Sequence, residues 1–237
     1  MTTNGAAAQA PASLTRTVSA GAASAGTGRP CADPNPPKAT PSGHLPSTQK
    51  MPTDTTEADG TLLRQIWQTL DRATREYGHA WRTPVLATVD AGQAPQARTV
   101  VLRSADAQRG ELRVFTDARS PKVGELRSQS RAVLVFWCPV LNWQLRAIVE
   151  VSVLDAGGDV EAAWARVSTS AAAHDYLAAA APGQLLNDAG NDEEAHGAHH
   201  LAILVARVHG LDWLELGRDG EHQRCRFTRE GAQRLVP

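Results

Sequence analysis

The sequence predicts a mainly β protein with flanking helices, arranged as an antiparallel barrel. Three observations lead there. Apolar and β-branched runs of strand length recur from Pro84 to Thr228, and short polar turns separate them. Helical periodicity is confined to three stretches, 62–77, 121–129 and 159–180. The third is the run Ala132–Cys138, whose near-continuous apolar character predicts a strand buried on both faces.

The elements follow in order. Residues 1–50 are rich in Ala, Pro, Ser, Thr and Gly and contain no aromatic residue. Such a segment lacks the apolar surface to offset its ordering entropy, so 1–57 reads as a disordered extension and 58–237 as one domain. The chain has two methionines, and the second, Met51, stands where the composition changes, which makes it an alternative start. From Asp59, Leu62, Leu63, Ile66, Trp67, Leu70, Ala73 and Tyr77 recur at three and four residues and predict an amphipathic helix ended by Gly78. Strands at 84–90 and 96–104 flank Asp90-Ala91-Gly92-Gln93, a tight turn. A third strand (111–116) leads into a short helix (121–129), then come strands at 132–138 and 142–154. Residues 159–180 read as an Ala-rich helix and 182–200 as a loop. Strands at 201–216 and 223–228 complete the chain.

Composition narrows the function. The 237 residues carry a net charge of −1, which gives no bulk attraction to nucleic acid or to anionic membrane. No apolar run approaches 18 residues. Cys31, Cys138 and Cys225 are scattered without a CxxC pair, so neither a zinc knuckle nor a disulfide framework is expected, and a reducing, cytoplasmic setting fits. His196, His199 and His200 beside Glu193 and Glu194 match no metal-ligand spacing and read as a solvated loop, so no metal is expected. Asp90, Asp106 and Asp117 read as turn residues, and Trp137 and Trp143 as barrel core. No Gly-rich dinucleotide fingerprint occurs.

Basic residues then single out certain strand ends. "VFTDARSPKVGEL" (114–126) runs from a strand into a helix start through Arg119, Ser120 and Lys122. One reading is a capped turn, with Ser120 as N-cap, Pro121 at N1 and Lys122 solvated. The other is a phosphate seat, because a helix N-terminus offers unpaired N–H groups and the positive end of a dipole. Arg98 and Arg103 frame "RTVVLR", five residues apart and so on opposite faces of a regular strand. Gln144 and Arg146 share a face, and Arg224 and Arg226 alternate in the same way.

In combination, "ATVDAGQAPQARTVVLRSAD", "ELRVFTDARSPKVGELRSQSRAVLVFW" and "WQLRAIVEV" closely resemble the pyridoxamine 5′-phosphate oxidase-like family of FMN-binding split-barrel proteins. The resemblance implies an FMN-binding split barrel over residues 60–237. It implies that Arg98, Ser120 and Lys122 bind the FMN phosphate. Arg103 and the main chain of Val100, Val101 and Leu102 are expected along the flavin, with Phe115 and Thr116 lining the ring pocket. Gln144 and Arg226 are expected to close the site, partly from the second subunit of a homodimer. The implied activity is an FMN-dependent oxidoreductase transferring hydride at the flavin, acting on a small-molecule substrate or electron donor. The alternatives are pyridoxamine 5′-phosphate oxidase proper and a non-catalytic FMN-binding module. The sequence departs from the true oxidases where they grip the substrate phosphate. Arg166 and Tyr176 stand off the expected spacing, His222 and Arg224 replace an Arg-x-His pair, Leu214 (beside Trp213) replaces a flavin-packing Trp, and Pro121 replaces a basic residue.

Overall fold

The computed structural model describes residues 53–185 and 198–237. Its first helix, α1 (Thr53–Arg75), starts six residues before Asp59, inside the span that composition assigns to the extension; the rest of that span, Met51 included, lies outside the described residues. Ile66, Leu70 and Ala73 are fully buried at helical spacing. Tyr77, in phase with them by sequence, is 97% exposed, because the helix has ended and Gly78 turns the chain at φ +91°. A short 3₁₀ turn (Ala80–Arg82) then drops Trp81 into the core against Phe136 and Trp143.

β1 (Val85–Val89) and β2 (Pro95–Thr99) form the first hairpin. Asp90 organises its turn: its Oδ1 accepts from the N–H groups of Gly92 and Ala94, both at 2.9 Å. Gln93, not Gly92, takes the left-handed conformation, and a Cβ on residue 92 would lie 3.3 Å from Asp90 Oδ1. The strand expected over 96–104 is two strands. It breaks at Val100–Val101, and β3 (Leu102–Asp106) leaves β1 to pair with β4 (Glu111–Asp117). α2 (Pro121–Ser128), β5 (Arg131–Cys138) and β6 (Trp143–Leu154) follow.

The Ala-rich stretch is likewise interrupted, into α3 (Gly158–Val167) and a 3₁₀ segment (Ala171–Tyr176). β7 (Leu201–Glu215), β8 (Gln223–Thr228) and β9 (Gly231–Leu235) close the chain, β9 being a strand that sequence periodicity does not reveal. Most of the polar loop, residues 186–197 with His196, lies outside the described residues.

The nine strands form one antiparallel sheet in the order β2-β1-β5-β6-β7-β4-β3, with β8 and β9 continuing from β7. Not closed into a continuous barrel, it is a split barrel with flanking helices, as predicted. The inner face holds the main core, with Leu86, Leu134, Leu145, Leu211 and Trp213. A second cluster lies on the other face between β4, β7, α3 and the 3₁₀ segment.

β5 departs from expectation. Its burial alternates, and Val133, Val135 and Trp137 are only partly covered, Trp137 being 44% exposed. An apolar run identifies a strand but does not say what covers each face. Trp143, by contrast, packs on the core and meets Trp213 edge-on, with ring centroids 5.3 Å apart. Cys138 and Cys225 are buried free thiols.

Candidate anion cradle and its relatives

The turn at 117–122 forms where β4 ends and α2 begins. Pro121 occupies the first helical position, as expected. Ser120 stands at the N-cap with extended backbone, but its side chain does not cap the helix. Its buried Oγ faces Thr116 Oγ1 at 3.2 Å, and Lys122 Nζ donates to both hydroxyls at 3.0 Å. Lys122 is therefore folded inward, not solvated. Burial, and next the Arg98 guanidinium, hold its pKa below the usual lysine range. Among the described residues no carboxylate comes within ion-pair distance of its ammonium.

Arg98 enters the same group from β2. It donates to Glu125 Oε2 on α2 at 2.8 Å and to Thr88 Oγ1, and Thr88 also donates to that carboxylate oxygen at 2.5 Å. Glu125 thus fixes one edge of the guanidinium. Arg119, the third cation of the turn, is turned away. It pairs with buried Asp117 at 2.7 Å and donates to the carbonyls of Ala178 and Ala179, both at 2.8 Å, so it tethers a neighbouring segment and is no part of the cradle. Asp117 is accordingly a buried ion-pair partner as well as a turn residue.

Arg103 and Phe115 form a second group on the face away from the cradle, although the strand that parity assumes is broken at Val100–Val101 and shifts register at Arg103. The Arg103 guanidinium carbon lies 5.8 Å from the Phe115 ring centroid. Its Nε is buried without a hydrogen-bond partner, while the guanidinium meets the phenol of buried Tyr176. Burial raises the Tyr176 pKa. The charge of Asp117 reaches both Lys122 and Tyr176, which places the two groups at one end of the sheet. Phe115 packs into the second cluster, and Thr116 alone of that pair faces the cradle. Between the groups, the Val100 N–H is taken by the Pro84 carbonyl at 2.9 Å, and Val100 and Leu102 are buried.

Gln144 and Arg226 belong to a third group. Arg146, Asp212 and Arg226 stand directly opposite one another across β6, β7 and β8. Arg224 clasps the buried Asp212 carboxylate through two bonds of 2.8 and 2.9 Å, and Arg146 and Arg226 each lie 3.7 Å from it. Hydrogen bonding from Arg224 holds the Asp212 carboxyl well below its usual range. Sequence reasoning missed Asp212 because an aspartate within an apolar strand carries no motif. Gln144 lies opposite Trp137 and Leu214 on the same face as this row. Arg98, by contrast, lies opposite Leu86, and Leu86 opposite Leu134, on the core face. Cross-strand partners point to one side of a sheet, so a single protomer keeps Gln144 and Arg226 on the face opposite Arg98.

Of the remaining expected substrate groups, Arg166 is exposed and bonds within α3, and His222 is exposed. His199 stacks on Trp164 with centroids 4.5 Å apart and accepts from the Leu201 N–H. Among the described residues no group of His, Cys, Asp or Glu is arranged to hold a metal ion, and no helix is long and apolar enough to cross a membrane.

A half-buried ammonium donates to two hydroxyls at a helix start, and a guanidinium held by Glu125 lies close enough to repel it, a donor set with the chemistry to receive an anion. Residues 64–155 match the family described as pyridoxamine 5′-phosphate oxidase, FMN-binding domain. The chain is 41% identical over 91 residues to a pyridoxine/pyridoxamine 5′-phosphate oxidase of Anaeromyxobacter dehalogenans, covering 38% of this chain and 45% of that protein. It is 38% identical over 100 residues to one of Chromohalobacter salexigens, covering 42% and 45%. The match thus spans under half the length of these curated relatives. Two solved structures share the fold. One is a pyridoxamine 5′-phosphate oxidase-related FMN-binding protein of Nostoc punctiforme, with TM-score 0.58, 21% identity, and 73% of this chain and 96% of that one covered. The other is PhzG of Burkholderia lata in complex with tetrahydrophenazine-1-carboxylic acid, with TM-score 0.58, 17% identity, and 78% and 95% covered. Residues 64–155 are thus similar to the FMN-binding domain of the pyridoxamine 5′-phosphate oxidase family, and the solved structures share the fold. The cradle fits the phosphate of FMN: Lys122 and Arg98 supply cationic donors, and Ser120 and Thr116 supply hydroxyls.

Proposed function

We propose that the chain is an FMN-dependent oxidoreductase that works as a homodimer. The observation that carries the cofactor site is Lys122, drawn in against two hydroxyls with no carboxylate in ion-pair contact among the described residues. A dianionic phosphate there gains charge-assisted bonds from Lys122 and Arg98 and relieves the repulsion between them. When bound, FMN supplies two-electron chemistry by exchanging a hydride at its ring. The protein's part is to hold the phosphate through Lys122, Arg98 and Ser120 and to offer positive charge from Arg103 beside the ring.

The face argument supports the dimer. Gln144 and Arg226 lie on the face opposite Arg98, and a second copy would bring them to the same ligand. Their face also carries Val85, Trp137 and Ile148, each 38–44% exposed, which is apolar surface suited to burial against a partner.

A second reading, pyridoxamine 5′-phosphate oxidase proper, draws on the names of the curated relatives and on Tyr176, which meets Arg103 although its spacing departs from the family pattern. One experiment separates the readings. The purified protein is examined for flavin absorption and for FMN released on denaturation, then assayed with pyridoxamine 5′-phosphate under oxygen and with nicotinamide donors without it. Bound FMN reduced by a nicotinamide but not by pyridoxamine 5′-phosphate supports the first reading, and turnover of pyridoxamine 5′-phosphate supports the second. Bound FMN that no donor reduces leaves a non-catalytic FMN-binding module. A monomer in sedimentation at micromolar concentration overturns the shared site.

A further inference from the structure

Residues 176–183 run past the candidate site as a strap. At one end the Tyr176 phenol meets the Arg103 guanidinium, and the Tyr176 carbonyl accepts from the His200 N–H at 2.8 Å. At the other end Gly183 passes so close to the Pro121 ring that a Cβ there would lie 3.2 Å from its Cγ. Pro121 stands between Ser120 and Lys122, at the edge of the cradle. The strap therefore joins the Arg103 group to the anion cradle.

The middle of the strap is held by Arg119. Leu177, Ala178, Ala179 and Ala180 are exposed, so apolar burial contributes little there. The Ala178 and Ala179 carbonyls accept from Arg119 Nη2 and Nη1, both at 2.8 Å. The same guanidinium is fixed from behind. Buried Asp117 accepts from its Nε at 3.1 Å, from its Nη2 at 2.7 Å and from the Arg119 N–H at 2.7 Å. A planar fork anchored on a carboxylate and offering its free edge to two carbonyls is a geometry that lysine does not reproduce. Exposed segments fastened by few contacts belong to the low-stability end of a fold and open locally. The seat of the strap is also where the turn departs from the true oxidases, since Pro121 replaces a basic residue.

We propose that Arg119 is a positioning residue that latches this strap across the cofactor's exit, setting how fast FMN exchanges and not how tightly it binds. The proposal rests on the reading above in one respect: FMN reaching from Lys122 to Arg103 lies along the strap. A latch that opens equally with and without ligand multiplies entry and exit by one factor, so Kd, their ratio, is unchanged. Loss of a direct contact raises the exit rate and Kd together.

The test uses the full chain with FMN as the probe. Flavin fluorescence in stopped flow gives the association and dissociation rate constants, titration gives Kd, and hydrogen exchange across 176–181 reads the strap itself. Arg119→Lys keeps a positive charge beside Asp117 and gives up the fork. Both rate constants are expected to rise together, on the order of tenfold for one lost bond from a charged donor, with Kd held within about threefold and exchange across 176–181 accelerated. Gly183→Ala disturbs the other anchor without touching Asp117 and is expected to move the rates in the same direction. A Kd that rises in step with dissociation, at unchanged association, would overturn the proposal, because the contact would then be one of binding. Unchanged rate constants despite faster exchange would overturn it too, since the strap would lie off the path, and so would exchange that does not accelerate. A chain that takes up no FMN refutes the proposed function instead. Exchange across 176–181 in the flavin-free Arg119→Lys chain then decides the latch alone: acceleration upholds it and no change removes it.

Discussion

Replacing Lys122 by Met separates what the cradle does for the fold from what it does for the ligand. The side chains are similar in length, so the change removes the ammonium and little volume. In the flavin-free protein two effects oppose each other. The variant loses two hydrogen bonds from a charged donor, each contributing about 1.5–3 kcal/mol, and it removes the cost of holding a partly desolvated cation beside Arg98, which is of similar size. Neither hydroxyl is orphaned, because Ser120 and Thr116 already lie within bonding distance of each other. The net effect on stability is therefore expected within about 1 kcal/mol of zero. FMN, however, loses a charge-assisted contact worth about 2–3 kcal/mol, a roughly 30–150-fold rise in Kd.

The depressed Lys122 pKa adds a pH signature. Between its lowered folded value and the usual lysine value, the unfolded chain binds more protons than the folded one, so the stability of the flavin-free protein rises with pH across that window. Phosphate binding favours the charged ammonium, so FMN affinity falls with pH across the same window, and the variant should lose that dependence. Urea denaturation and FMN titration, both as a function of pH, measure the two halves. A variant destabilised by more than about 2 kcal/mol with unchanged FMN affinity would refute the reasoning, because Lys122 would then be a structural residue.

Three further outcomes test the frame around the site. Asp212→Asn leaves Arg146, Arg224 and Arg226 without their shared counter-charge and is expected to cost about 3 kcal/mol at pH 7 by chemical denaturation. Because the Asp212 carboxyl is depressed, its contribution is present above the usual aspartate pKa and is lost as pH falls through the folded value, so the variant should show a flatter loss of stability below about pH 4. Arg119→Ala releases the Ala178 and Ala179 carbonyls and leaves Asp117 buried without its partner; hydrogen exchange across 171–180 should accelerate, with a stability loss of about 2 kcal/mol. Trp81→Ala removes a fully buried ring between Phe136 and Trp143 and should cost about 3–5 kcal/mol, read as a fall in Tm.

How far the sequence carried the argument depends on whether a feature is local. The Asp90 turn and the start of α2 at Pro121 are set by neighbouring residues, and turn chemistry finds them. The break at Val100–Val101 is invisible in "RTVVLR" because it arises from β3 pairing with β4 while β2 stays with β1, a choice made by distant partners. Burial of Lys122 is not local either. Capping propensity predicts a solvated lysine, and only the convergence of β2, β4 and α2 brings Arg98, Thr116 and Glu125 around it. Tyr176 shows the same limit, since its sequence spacing is wrong for the family pattern while the fold still delivers its phenol to Arg103.

The separation of the two faces is the consequence that parity alone could have given. Once Leu86 opposes both Arg98 and Leu134, alternation along β5 and β6 fixes Ala147 with the core and Gln144 and Arg146 with the outside. Moving Gln144 to the Arg98 side would require β6 to slip by one residue, which would also turn Leu145 and Ala147, both fully buried, out to solvent. At about 1.5–3 kcal/mol for the leucine alone, and with every other position of the twelve-residue strand inverted, that rearrangement is far outside the stability of a domain this size. If Gln144→Ala and Lys122→Met both weaken FMN, the two residues meet one ligand only across a subunit boundary. Mixing the two inactive variants should then regenerate one complete site in each heterodimer, and no recovery of FMN binding on exchange of subunits would show that the outer face serves another purpose.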